Sequence, residues 1–135
     1  MVIEFFLPMI PPEVTAQEHK VTVKNGKPIF YDPPELKTVR AYLICRLSQA
    51  KRIYGPDDPI SKTPIRLTTK WIWPGGKGEP EAWKTTKPDT DNLIKLFKDC
   101  MTRVGFWKDD ALVCSEITEK FYGPVAGIFV RIETL

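Results

Sequence analysis

The sequence predicts an α+β fold in a single domain over residues 1–135: a mixed β-sheet with two main helices packed on one face. Three observations predict it. Strand-like runs and helical stripes follow one another in an order that is neither a strict βαβα alternation nor all-β. Two segments, and only two, repeat apolar residues at helical spacing. With 135 residues, of which 42% are hydrophobic, the chain can bury a core without disulfide or metal staples, and no repeat, low-complexity run or linker divides it.

Val2 to Leu7 is apolar and aromatic and ends at Pro8, which marks a first strand. Val14 to His19 reads as loop. Lys20 to Val23 and Pro28 to Tyr31 flank Asn25-Gly26, a hairpin signal because both turn positions need φ > 0. Asp32-Pro33-Pro34-Glu35 has the order of a helix start: a capping acid, proline in the first turn, and a glutamate to return the bond. Leu36, Val39, Leu43, Ile44 and Leu47 then give a stripe that predicts a helix to about Ala50. Tyr54 to Pro64 is rich in Pro, Asp and Gly and reads as loop. Ile65 to Trp73, β-branched and aromatic, reads as a central strand stopped by Pro74-Gly75-Gly76, and Lys77 to Pro88 as a polar loop. Leu93, Leu96, Phe97, Cys100, Met101 and Val104 make the second stripe, on a helix over Asp91 to Arg103 ended by Gly105. Val113 to Phe121 and Ile128 to Ile132, joined through Gly123-Pro124, read as the last two strands.

A net charge of +3 permits nucleic-acid binding without demanding it. The three cysteines, Cys45, Cys100 and Cys114, are odd in number and widely spaced, which argues against a disulfide framework and a zinc cluster. They are expected to pack as small hydrophobes, in a reducing cytosol. The start Met-Val-Ile-Glu-Phe-Phe-Leu-Pro lacks the basic residues and the long apolar run of a signal peptide, and no segment has the length of a membrane span. A cytoplasmic protein without membrane contact is expected.

The chemistry-bearing residues cluster around the second helix. Asp89 and Asp91 sit before and at its start, and Asp110 lies on the loop after it. Taken singly, Asp89 reads as a cap, Asp91 as a favourable charge at the positive end of the helix dipole, and Asp109-Asp110 as a turn. Taken together, three converging carboxylates repel one another unless a cation joins them, and oxygen-only ligation suits Mg²⁺, with Mn²⁺ as a substitute. The helix separates its ends by roughly 20 Å. Asp110 therefore reaches the pair only if the chain after Gly105 doubles back along the helix, a return that buried Phe106-Trp107 could pin. The single histidine, His19, is remote in sequence, which disfavours zinc.

Lys95 stands four residues from both Asp91 and Asp99. That spacing serves an i,i+4 salt-bridge ladder, and equally a cation that neutralises charge building on a phosphate. Asn92 can orient a ligand from behind the carboxylates or face solvent; the former is expected. Lys84 and Lys87 can hold DNA phosphates or be merely solvated. Trp83 can stack on a base or cap the core, and capping the core is the expectation.

The run Lys87-Pro88-Asp89-Thr90-Asp91-Asn92-Leu93-Ile94-Lys95, then Asp99, then Gly105-Phe106-Trp107-Lys108-Asp109-Asp110-Ala111 resembles the signature of the RusA-type crossover-junction endodeoxyribonucleases, the Holliday-junction resolvases. The family pattern is Asp-x-Asp-Asn-Leu-x-Lys, an Asp on the next turn, and a closing Asp-Asp. The signature covers about a quarter of the chain at unusual spacings, and Pro11-Pro12, the Asn-Gly-Lys-Pro hairpin and the last strand extend the likeness. The resemblance implies a mixed α/β homodimer that cuts four-way DNA junctions with Mg²⁺. Carried over by position, Asp89, Asp91 and Asp110 are the acidic metal-binding residues and Lys95 the essential lysine, with Asp109 beside them. Some members carry a dense arginine run ahead of the first Asp, where this chain has only Lys84 and Lys87, a difference that bears on DNA contact and not on the chemistry.

The expected reaction is hydrolysis of a phosphodiester that leaves 5′-phosphate ends, as paired symmetric nicks because a two-fold dimer meets a two-fold junction. Two other readings fit the same residues: a metal nuclease acting on flaps or forks, and a non-catalytic DNA-junction-binding module whose acids are caps and ladder partners.

Overall fold

The computed structural model describes residues 1–13, 20–31, 34–75 and 82–135. The reading of Val14 to His19 as loop, and the helix cap assigned to Asp32 and Pro33, lie outside these residues, as do residues 77–81 of the loop read over Lys77 to Pro88.

Strand β1, Val2–Leu7, buries Ile3, Phe5 and Leu7 and leaves the residues between them exposed, the period of two that a half-buried strand requires. Strands β2, Lys20–Lys24, and β3, Lys27–Tyr31, form the hairpin that Asn25-Gly26 predicts, with φ of 53° and 76° at the two turn residues. Helix α1 runs over Pro34–Tyr54, a turn beyond the predicted end at Ala50. Nothing in Lys51-Arg52-Ile53-Tyr54 breaks a helix, both cations suit its negative end, and the stop comes only at Gly55, whose N–H donates to the Lys51 carbonyl at 2.9 Å. Strand β4, Ile65–Trp73, has the predicted bounds and turns Ile65, Leu67, Thr69, Trp71 and Trp73 inward. Buried Thr69 is satisfied by the Trp71 indole N–H at 2.9 Å.

Helix α2, Thr90–Val104, buries Leu93, Ile94, Leu96, Phe97, Cys100 and Met101. Fully burying a large apolar side chain contributes about 1.5–3 kcal/mol, so packing of this stripe, far more than intrinsic propensity, holds α2 in place. Gly105 ends it in the left-handed conformation at φ 96°, donating to the carbonyls of Met101 and Thr102. Strands β5, Val113–Tyr122, and β6, Gly127–Thr134, complete the fold.

The sheet order is β1-β6-β4-β5. β4 and β5 run parallel, with α2 as their crossover, while β6 enters between β1 and β4 and is antiparallel to both. The two last strands are thus not partners of each other. One sheet face and the inner stripes of α1 and α2 share a single core, in which the ring of Trp71 meets Phe97 edge-on at 5.3 Å and Phe106 stacks on Phe5 at 5.7 Å. The opposite face carries charge, including Arg131 between Glu4 and Glu133.

Of the cysteines, only Cys100 packs in the core as expected, and burial, then the neighbouring Asp99 charge, pushes its thiol up to about 12. Cys45 and Cys114 are exposed, the first on the outer side of α1 and the second on the edge strand β5, away from the apolar neighbours their sequence context suggested.

β6 approaches β1 so closely at Gly127 that a Cβ there would stand 2.5 Å from the Leu7 carbonyl oxygen and collide with the Phe6 ring. Backbone cannot yield as a flexible side chain can. Gly127→Ala is expected to cost about 1–3 kcal/mol, read as a lower urea midpoint; an unchanged midpoint would mean that β1 and β6 can separate freely here.

Candidate active site at the start of helix α2

The segment that leads into α2 is built on the edge of the sheet. Residues 82–84 run antiparallel along β5: the Tyr122 N–H donates to the Ala82 carbonyl at 2.8 Å and the Lys84 N–H to the Lys120 carbonyl at 3.0 Å. The loop expected over this stretch is in part an extra edge pairing, centred on Trp83 opposite Phe121. Trp83 does not cap the core. It is 62% exposed, resting on the Phe121 ring at 4.5 Å.

Lys84, read as holding a DNA phosphate or as merely solvated, is turned inward. It is only 8% exposed. Its ammonium donates to Thr86 Oγ1 at 2.9 Å and to the Tyr122 hydroxyl at 3.3 Å, and lies 5.1 Å from the ring centres of both Trp73 and Tyr122. Hydrogen bonding with Thr86, then with Lys84, holds the Tyr122 hydroxyl below the usual tyrosine range. Lys87 is exposed.

Asp89 stands at the N-cap of α2 with extended backbone, and its carbonyl accepts the Leu93 N–H at 3.1 Å. Its side chain makes no capping bond, so the helix is entered without using the carboxylate. Asp91 lies in the first turn. Both acids are exposed, and among the described residues neither carboxylate is engaged in a hydrogen bond or ion pair. Asp91 borders a groove of about 300 Å³ with Thr90, Ile94, Glu116 and Thr118. Glu116, on β5, pairs across it with Lys98. Lys95, a turn after Asp91, is exposed and has no ion pair among the described residues. The ladder that its spacing allowed is absent, because Asp99 pairs with Arg103 at 3.2 Å and Arg40 at 3.8 Å. Asn92 is half-buried beside the pair.

Asp110 is elsewhere. The chain after Gly105 does turn back, pinned by buried Phe106 and Trp107 and by bonds from Ile60 N–H to the Phe106 carbonyl at 3.0 Å and from Lys108 N–H to the Ile60 carbonyl at 2.9 Å. Yet it returns only as far as Thr102. Asp110 Oδ1 accepts from Thr102 Oγ1 and from the Trp107 indole N–H at 3.1 Å. Thr102 is roughly 16 Å along the helix from Asp91 at 1.5 Å per residue. Asp109 caps the 3-10 turn Asp110–Leu112 by accepting from the Ala111 N–H at 2.8 Å. Among the described residues no three His, Cys, Asp or Glu side chains are placed to hold one metal ion. The expected three-acid convergence therefore does not occur within one chain.

The pair alone suits a hard divalent cation. Mg²⁺ commonly takes one or two protein carboxylates and completes its shell with water and substrate oxygens, and Asp89 and Asp91 offer side-chain oxygens that no other group engages among the described residues.

Sequence reading missed two residues here. Glu116 shares the groove with Asp91, and the ammonium of Lys120, on β5, donates to the carbonyls of Thr86 and Pro88, each at 2.8 Å. The polar alternation Glu116, Thr118, Lys120 was the available signal, since it sets all three on one strand face.

Among the described residues no helix is long and apolar enough to cross a membrane. The sequence matches the family Endodeoxyribonuclease RusA over residues 10–133. It is 30% identical over 115 residues to the crossover junction endodeoxyribonuclease rusA of Lactococcus phage r1t, covering 82% of this chain and 79% of that protein. It is 31% identical over 119 residues to YqaN, an uncharacterised protein of Bacillus subtilis (strain 168), covering 82% of each. With the Asp89–Asp91 pair and Lys95 set along one helix start, and a family match that spans nearly the whole chain, the protein belongs to the RusA family of endodeoxyribonucleases.

Proposed function

We propose that the chain is a Mg²⁺-dependent, structure-selective endonuclease that resolves four-way DNA junctions by paired symmetric nicks, in DNA recombination and repair. The observation that carries this reading is the pair of carboxylates at the start of α2, with a lysine one turn behind them, none of the three engaged in a hydrogen bond or ion pair among the described residues.

Asp89 and Asp91 would hold the cation. When bound, it would supply Lewis-acid polarisation of the scissile phosphate and a more acidic attacking water. Lys95, a helical turn on, offsets negative charge that builds on the phosphate as the 3′ oxygen leaves. Asn92, half-buried beside the acids, would orient them from behind, and exposed Lys87 would meet the DNA backbone. Lys84 braces the loop from within, and Asp109 shapes the turn that presents Asp110.

The separation of Asp110 from the pair supports a homodimer. If two copies meet about a two-fold axis with their α2 helices antiparallel, the C-terminal end of one helix lies beside the N-terminal end of the other. Asp110 of the partner subunit then joins Asp89 and Asp91, and symmetry makes two such sites, one for each strand to be cut. A cytoplasmic setting accords with three free cysteines.

The test is a synthetic four-way junction beside linear duplex and a flap, with Mg²⁺ and with EDTA. Paired nicks on the junction alone, lost in EDTA and restored by Mg²⁺ or Mn²⁺, are expected. Preferential cutting of the flap or a fork would keep the site and change the substrate, and undiminished cutting in EDTA would refute the cation's role.

A further inference from the structure

We propose that Lys120 is a positioning residue for the acidic pair, clamping the main chain just ahead of Asp89 and so setting where Asp89 and Asp91 stand. The inference rests on the reading of that pair as the cation site.

The loop from Lys84 to Asp89 does not satisfy its own carbonyls at Thr86 and Pro88. Proline at position 88 has no N–H to donate, and among the described residues no backbone N–H reaches the carbonyls of Thr86 or Pro88. The Lys120 ammonium serves both, at 2.8 Å each, by charge-assisted bonds. The carbonyl of the same residue accepts the Lys84 N–H at 3.0 Å. One residue of β5 therefore holds the loop at its beginning and at its end. Lys84 adds a brace from inside through Thr86 Oγ1.

A lysine on an edge strand ordinarily blunts that edge by projecting its charge into water. Lys120 is half-buried, and two of its three donors go to main-chain oxygens instead. The Pro88 carbonyl lies one peptide from Asp89, so any shift of it carries the carboxylate along. Catalytic constellations tolerate about 0.5 Å of displacement, and a misplacement of roughly 1 Å can cost about 10²-fold in rate.

The test uses the full chain, metal-free, as wild type, Lys120→Gln, Lys120→Arg and Asp91→Asn. Mn²⁺ affinity is read by the paramagnetic signal of the free ion, and cleavage and binding are read on a four-way junction. Lys120→Gln is expected to weaken Mn²⁺ binding about tenfold and cleavage about 10²-fold. Junction affinity in EDTA should move less than about threefold, because the ammonium already has its partners within the protein. Lys120→Arg, which can reach both carbonyls, should restore Mn²⁺ affinity and rate together. Wild-type Mn²⁺ affinity and rate in Lys120→Gln would overturn the proposal. If Asp91→Asn loses Mn²⁺ binding while Lys120→Gln keeps it, the clamp alone fails. If Asp91→Asn itself binds Mn²⁺ like wild type, the cation site fails with it. Should Lys120→Gln not fold, nitrogen-15 NMR of the wild-type lysine ammonium groups decides: slow hydrogen exchange at Lys120 is expected, and exchange as fast as at exposed lysines would overturn the clamp.

Discussion

Asp91→Asn is expected to abolish junction cleavage while leaving junction binding intact or slightly tighter. The substitution keeps the size of the side chain and removes the charge that, on the proposed reading, would hold the cation. Loss of metal-based stabilisation of the phosphate, about 4 kcal/mol, corresponds to a rate loss on the order of 10³-fold. Stability should hardly change. Asp91 is exposed in the first turn, where its interaction with the helix dipole contributes about 0.3–1 kcal/mol. Binding should not suffer, because an acid facing DNA phosphates repels them. Single-turnover cleavage beside a gel-shift titration separates the two effects. A variant that cuts at the wild-type rate would remove Asp91 from the site.

Lys95→Met should lower the cleavage rate by about 10²–10³-fold, the usual effect of deleting one group aimed at developing charge. Methionine keeps much of the aliphatic stem and helix propensity, so α2 should remain intact. Because Lys95 has no ion pair among the described residues, its removal strands no protein partner. Junction affinity should fall by less than about tenfold, the share of a single phosphate contact. A loss of affinity that accounts for the whole loss of rate would make Lys95 a binding residue with no part in the chemical step.

The contrast between what could be read in the chain and what could not follows the range of the interactions involved. Strand β4 and the hairpin were readable because alternation and an Asn-Gly turn are local signals. Helix α2 was readable because its stripe and its terminal glycine lie within one segment. The insertion of β6 between β1 and β4 depends on pairing across the whole chain, and no local pattern states it. The site divides the same way. Asp89, Asp91 and Lys95 occupy two turns of one helix, so spacing alone groups them. The position of Asp110 is set by Ile60 against Trp107 and by the Trp107 indole, contacts decided by tertiary packing, and these stop the returning chain at Thr102. Lys84 looked like a surface cation and is buried because Trp73, Thr86 and Tyr122 converge on it from three segments.

The most direct test of a site shared across a two-fold axis is a mixing experiment. Asp91→Asn and Asp110→Asn protomers, each expected to be inactive alone, are combined, allowed to exchange subunits, and assayed on a four-way junction. In a mixed dimer both substitutions fall in one site and the other site is left whole, so single nicks should return at about a quarter of the wild-type site number under random pairing. If each chain forms its own site, every site in the mixture carries one substitution, and the mixture should stay as inactive as either protein alone.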